Sequence, residues 1–397
     1  MKNNSSIISI LLFSIISFSC SKESEEDKIY ENPVYGSTVY DFEKTFGGSE
    51  DDVAKSIIHK NNELYIFGTT KSLGDINGDH YLIKTDLNGN IISEHTFGGS
   101  MEEEGVEIIA TNDGSFILIG STTSLGAGQK DIHVIKIDPN GTLIWERTFG
   151  GLLDETPESI IELSNSEFCI AGTTESFGSG SRDIYMIWID QSGNLIREKT
   201  HGGVSSDGSS KILEIDNQEI MLYGYTYSYG AGNRDLYLLK TNFTGDSLWS
   251  QTYGGSGYEE SQAFSQLPDG GYLLCAHSSS TDPNHNMYGV RTDVNGVQLW
   301  DVNYGGAQHD GGQALLVNNA GNYVFIGRTM SNGTGMRDAM MVISDPSGQA
   351  ISTSYIGGTL NDQIDGIIEN GDYYYMVGQS ASFGNSDNDV YLVKQHK

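Results

Sequence analysis

WERTFGG, Trp145 to Gly151, returns in altered form along the whole chain, and its reading decides the fold. Its Gly-Gly pair recurs at Gly47-Gly48, Gly98-Gly99, Gly150-Gly151, Gly202-Gly203, Gly254-Gly255, Gly305-Gly306 and Gly357-Gly358. The steps are 51, 52, 52, 52, 51 and 52 residues. A fixed period near 50 marks an architecture that grows by adding units to one body. Within one unit four β-like segments separate: GVEIIA (105–110), SFILIGST (115–122), DIHVIKID (131–138) and TLIWERTF (142–149). The last two read as alternating apolar and polar. Turn signals stand between the segments: Asn112-Asp113-Gly114, Gly126-Ala127-Gly128 and Asp138-Pro139-Asn140-Gly141. Four strands joined by short turns make one antiparallel sheet with two faces to cover. Radial repetition of such sheets describes a β-propeller.

The ends of the chain are complementary. Its last unit stops after a third strand, NDVYLVKQHK (388–397). The repeat region opens on a fourth strand with no first three, TVYDFEKTFGG (38–48). An N-terminal strand that completes the last blade would tie the ends together and remove an exposed edge. The expectation is an all-β, seven-bladed β-propeller of four-stranded antiparallel blades over residues 38–397.

Composition narrows the partners. Lys plus Arg total 22 against 53 Asp plus Glu, a formal charge of -31. Such a surface repels nucleic acid and anionic lipid, and it attracts cations or cationic partners. Cys169 and Cys275 fall in matching strands of non-adjacent units and read as buried free thiols. The third cysteine, Cys20, belongs to the first forty residues. After Lys2, the apolar run Ile7–Ser19 is too short for a lasting membrane span and has the flanks of a secretion signal. Residues 1–19 then form a signal peptide. From Cys20 to residue 37 the chain is polar and charged, as a flexible tether is.

Ser19-Cys20 followed by Ser21–Asp27 (SKESEED) resembles the signal of surface lipoproteins of Bacteroidota, although Ser17 stands where that pattern has Leu. The resemblance implies a lipidated Cys20 and a site at the outer membrane, on the cell surface. The GGSxxD…DGxxxxxGxTxS units of residues 38–397 resemble β-propeller repeats of secreted and surface bacterial proteins. That resemblance implies the fold and assigns no catalytic residue.

Several positions are candidates for chemistry. Four residues beyond each second Gly stands an acid: Asp52, Glu103, Glu155, Asp207, Glu259, Asp310 and Asp362. Two readings stay open. One is a ring of carboxylates near the central channel that attracts cations. The other is a carboxylate in each blade that accepts hydrogen bonds from its Gly-Gly turn. Six units begin the third strand with Asp (Asp79, Asp131, Asp183, Asp235, Asp338, Asp389), expected to bond a Thr/Ser cluster such as Thr122-Thr123-Ser124. The fifth unit departs from the pattern and, with the start of the sixth, gathers His277, Asp282, His285 and His309, a candidate loop site whose spacing fits no zinc motif. Asp75, Asn77 and Asp79 resemble part of a calcium loop without the downstream Glu. There is no Gly-x-Ser-x-Gly, no phosphate-binding loop, no His-Glu-x-x-His and no Cys-x-x-Cys. The expected role is non-enzymatic binding or scaffolding of a protein or glycan. The alternatives are a glycan-degrading enzyme with a site on one face, and a multivalent lectin-like module.

Overall fold

A computed structural model describes residues 40–215, 218–281, 283–385 and 388–397. The leader (1–19), Cys20, the tether to residue 37 and Asp282 lie outside the described residues. Seven four-stranded sheets follow one another in chain order. In six of them the strands pair in sequence order. The seventh is built from Asp362–Asn370, Tyr373–Ser380, Asp389–His396 and, as its outermost strand, Tyr40–Phe46. Thr45 there stands opposite Tyr391 and Phe46 opposite Val390, antiparallel. The Tyr391 hydroxyl also bonds the Glu43 carboxylate.

Each first strand packs against the first strands of both neighbouring blades, and the first blade's against the seventh's. These inner strands close a ring. A hydrophobic cluster fills every gap between blades. Ile117, Ile119, Ile132 and Val134 of blade 2 meet Phe168, Ile170, Tyr185 and Ile187 of blade 3 in one of them. Phe46, Tyr81, Val390 and Leu392 meet in another, where the chain ends join. Burial of one such side chain stabilises by roughly 1.5–3 kcal/mol.

The alternation expected of the third strand is not what burial follows. Every residue of Asp131–Ile137 is buried, because the middle strands of a blade have a neighbouring blade on both faces. Lys136 is only 3% exposed and bonds Asp113 at 2.7 Å. The fourth strand differs in the other direction. Leu143–Phe149 lies at the rim with no residue fully buried. Cys169 and Cys275 are buried free thiols, and burial pushes both up, Cys275 to about 12.

Candidate functional site

The seven acids of the inner strands are each wholly buried. Their oxygens serve the blade. Glu155 accepts from the Gly151 N–H at 2.6 Å and from the Thr174 hydroxyl at 2.6 Å. Asp207 accepts from Gly203 N–H and Ser228 Oγ, Asp362 from Gly358 N–H and Ser382 Oγ, all at 2.6–2.7 Å. The clamp ties a Gly-Gly turn to the end of the second strand, and both glycines answer to it. A Cβ on Gly150 would collide with the carboxylates of Asp131 and Glu155, and one on Gly151 with Ser176. The Thr/Ser cluster therefore bonds the first-strand acid, not the third-strand Asp as expected. Asp131 instead accepts from Ala127 and Gly128 N–H, both at 2.9 Å, and so folds the Gly-rich loop.

In the first unit, Asp75 accepts from the main chain and side chain of Asn77 at 3.0 and 2.8 Å, and Asp79 accepts from Asp75 N–H at 2.9 Å. The other Asp79 oxygen is turned toward Gly98, where the Glu103 carboxylate also converges. Burial and the nearby Glu103 raise the Asp79 carboxyl. Among the described residues no group of three or more His, Cys, Asp or Glu is placed to share a metal ion.

A β-bulge in the first strand of every blade sets the lining of the channel. In each inner strand the pairing register skips one residue: Lys55, Val106, Glu158, Ser210, Gln262, Gln313 and Asp365. A β-bulge re-aims its extra side chain, and all seven line a central cavity of ≈ 840 Å³. Lys55 pairs with Asp365 at 3.1 Å, and Lys211 pairs with Glu107. Glu158 has no hydrogen-bond or ion-pair partner among the described residues. Burial pushes its carboxyl up to about 7, against the pull of Lys55, Arg182 and Lys211.

Of the candidate histidines, the fold does bring three together. His285 stacks on His309 with ring centroids 4.9 Å apart, and His277 meets His309 edge-on at 6.4 Å. His277 is buried. Its Nε2 lies 2.6 Å from the Gly312 carbonyl, and burial takes it down to about 4. Its imidazole is thus held neutral within the blade. His309 is lowered too, by burial and then by the charge of His285.

The histidines end a longer arc at the end of the second strands and the start of the first and third. Tyr258 meets His285 at 5.9 Å and Tyr227 at 6.5 Å, and Tyr227 meets Tyr225 edge-on at 6.2 Å. The Arg234 guanidinium carbon sits 3.7 Å from the Tyr225 ring centroid and 4.9 Å from that of Tyr258. Beside it, between blades 3 and 4, opens a second cavity of ≈ 810 Å³. Tyr225, Tyr227 and Tyr258 were legible as departures from the repeat. Tyr225 occupies the column of Thr69, Ser121 and Thr173, and Tyr258 that of Asp51, Glu102 and Asp154.

No family model matches the chain. A curated relative, the regulatory protein FlaEY of Caulobacter vibrioides, is 22% identical over 383 residues. The match covers 86% of this chain and 38% of that protein, so the chain spans well under half of its relative's length. Among solved structures, the WD40 propeller domain of Doa1 superposes with a TM-score of 0.56 at 11% identity, covering 91% of this chain and 98% of that one. The Pan2 WD40 domain of Neurospora crassa gives 0.54 at 12%, covering 87% and 90%. BBS1N, solved in complex with ARL6DN, gives 0.54 at 9%, covering 91% and 97%. The fold is a seven-bladed propeller. At these identities the likeness extends to the fold alone.

Proposed function

We propose that this protein is a lipid-anchored propeller displayed at the cell surface from the outer membrane, where it binds a protein or a glycan without transforming it. The Ser19-Cys20 junction and the acidic run behind it support the anchor. Two or more acyl chains on Cys20 would hold the protein stably, as one would not. The binding reading is carried by one observation: the aromatic arc of Tyr225, Tyr227, Tyr258, His285 and His309 around Arg234 belongs to one side of the ring and is not repeated around it, whereas the basic position itself recurs as Lys130, Arg182 and Arg337. Blades that need only to close a propeller have no use for such an arc, and Tyr and Arg are the residues in which binding energy concentrates. Its confinement to blades 4–6 favours one site over seven equivalent ones. BBS1N, whose fold is similar, was solved in complex with a protein partner, ARL6DN.

Metabolic labelling with a fatty-acid analogue tests the anchor. The full chain should carry label at the outer surface of intact cells, and Cys20→Ala should lose it. Tyr227→Ala and Tyr258→Ala test the face. Each should weaken capture of a surface glycan or protein by about tenfold or more, with the melting temperature little changed. Unaltered capture by both variants would move the binding site elsewhere.

A further inference from the structure

Among the described residues three Lys or Arg side chains are nine-tenths or more buried: Lys136, Arg234 and Arg291. Lys136 has Asp113 as its counter-ion and Arg291 has Asp269. Arg234 has no carboxylate within ion-pair distance among the described residues, in a chain whose acids outnumber its bases by more than two to one. One of its Nη atoms bonds the Tyr258 hydroxyl, and its buried Nε has no partner. The rings of Tyr225, Tyr227 and Tyr258 hold the cation by their faces. Such contacts offset part of the cost of desolvating a guanidinium, and beside the Nη atom held by Tyr258 they leave the other Nη without an ion-pair partner among the described residues.

Arg234 lines the cavity between blades 3 and 4. Arg182, paired with Glu175 at 2.6 Å, stands on its other side. Hydroxyls and the Glu175 carboxylate, which Arg182 neutralises, complete the lining; the Oγ atoms of Ser181 and Ser206 are 2.8 Å apart. Val204 is the one aliphatic side chain in it. The volume lies within the roughly 300–1,000 Å³ of small-ligand sites. A planar fork of N–H donors matches a carboxylate. The hydroxyls and tyrosine faces match a polyhydroxylated ring beside it. An acidic peptide would supply the carboxylate without a polyhydroxylated ring for those hydroxyls and tyrosine faces.

We propose that this cavity binds the carboxylate of an acidic oligosaccharide, with Arg234 as the anion contact and Tyr227 as a platform for the sugar. The proposal rests on the reading of this face as a binding surface and narrows it to one ligand class. The overall negative charge opposes any anion at long range. That repulsion is screened beyond about 8 Å at physiological salt, so the local guanidinium decides the outcome.

Calorimetric titration of the purified protein tests this with four probes: a short oligogalacturonate, its carboxyl-reduced neutral counterpart, inorganic phosphate and a polyglutamate peptide. The oligogalacturonate should bind, and the neutral sugar about 10- to 100-fold more weakly. Arg234→Gln should erase that difference. Arg234→Lys, which keeps the charge and loses the fork, should retain part of it. Removal of a buried cation without a counter-ion should not lower the melting temperature of the free protein, which separates lost binding from lost folding. Tyr227→Ala gives a second readout at an exposed position. Equal binding of both sugars, an Arg234→Gln variant that binds as the wild type does, or binding of phosphate or polyglutamate alone would each overturn the acidic-sugar assignment. If the protein then captures another ligand through Tyr258 and His285, the wider binding reading stands. If no ligand of any class is captured, both fall.

Discussion

Glu158 and His277 are both titratable groups held away from their ordinary range by burial, and they act on stability in opposite directions. The Glu158 carboxyl is raised from 4.5 to about 7. The folded chain therefore holds a proton there that the unfolded chain has released. Its contribution is present below pH 4.5 and is lost as pH rises to about 7. Glu158→Gln should raise the melting temperature at pH 8 by an amount equivalent to about 1–3 kcal/mol and leave it nearly unchanged at pH 4. The His277 imidazole is lowered from 6.5 to about 4. Its contribution is present above pH 6.5 and is lost on acidification toward pH 4. His277→Gln, which keeps a donor for the Gly312 carbonyl, should flatten the acid limb of the melting curve and spare the alkaline one. Thermal melts from pH 4 to 8 decide both. Neither residue announces this in the sequence. The glutamate is one of many acids, and only the bulge in its strand turns it into the channel.

At the scale of the element, the Gly-Gly pair is where sequence and structure meet most closely. The pair was legible as a punctuation mark, and turn chemistry explains part of it, since Gly47, Gly254, Gly305 and Gly357 have φ between +140 and +147. The rest of the reason lies between strands. The first glycine yields its space to carboxylates from two blades, and the second to a serine. Gly150→Ala should then destabilise by about 1–3 kcal/mol, as overpacking does. Thr174→Val should cost about 1.5–3 kcal/mol by taking a hydroxyl from the buried Glu155 carboxylate. Chemical denaturation measures both, and Thr174→Ser should recover most of the second loss. The acid at each clamp could be counted from the sequence. Whether it faced the channel or the turn depended on which side of the strand it left, and the bulge three residues later changes that side.

At the scale of the molecule, the ring is held shut by Tyr40–Phe46. Deleting that strand bares the edge of Asp389–His396 and uncovers Val390 and Leu392. The shortened protein should melt lower and form oligomers by light scattering, because an open edge templates pairing. A permutant that joins residue 397 to residue 40 and opens the turn at Asn112-Asp113 keeps every strand pair. It should remain monomeric and melt close to the wild type. Period, strand order and the complementary ends are properties of the chain read in one dimension, so the sequence alone determined the blade count and the closure. The arc of tyrosines, histidines and Arg234 joins residues from positions 225 to 309 in three blades, and Arg182 reaches it from a fourth. Only the tertiary structure decided that they meet, because contact across blades depends on how the sheets stack around the axis and on which side chain each bulge and turn directs outward.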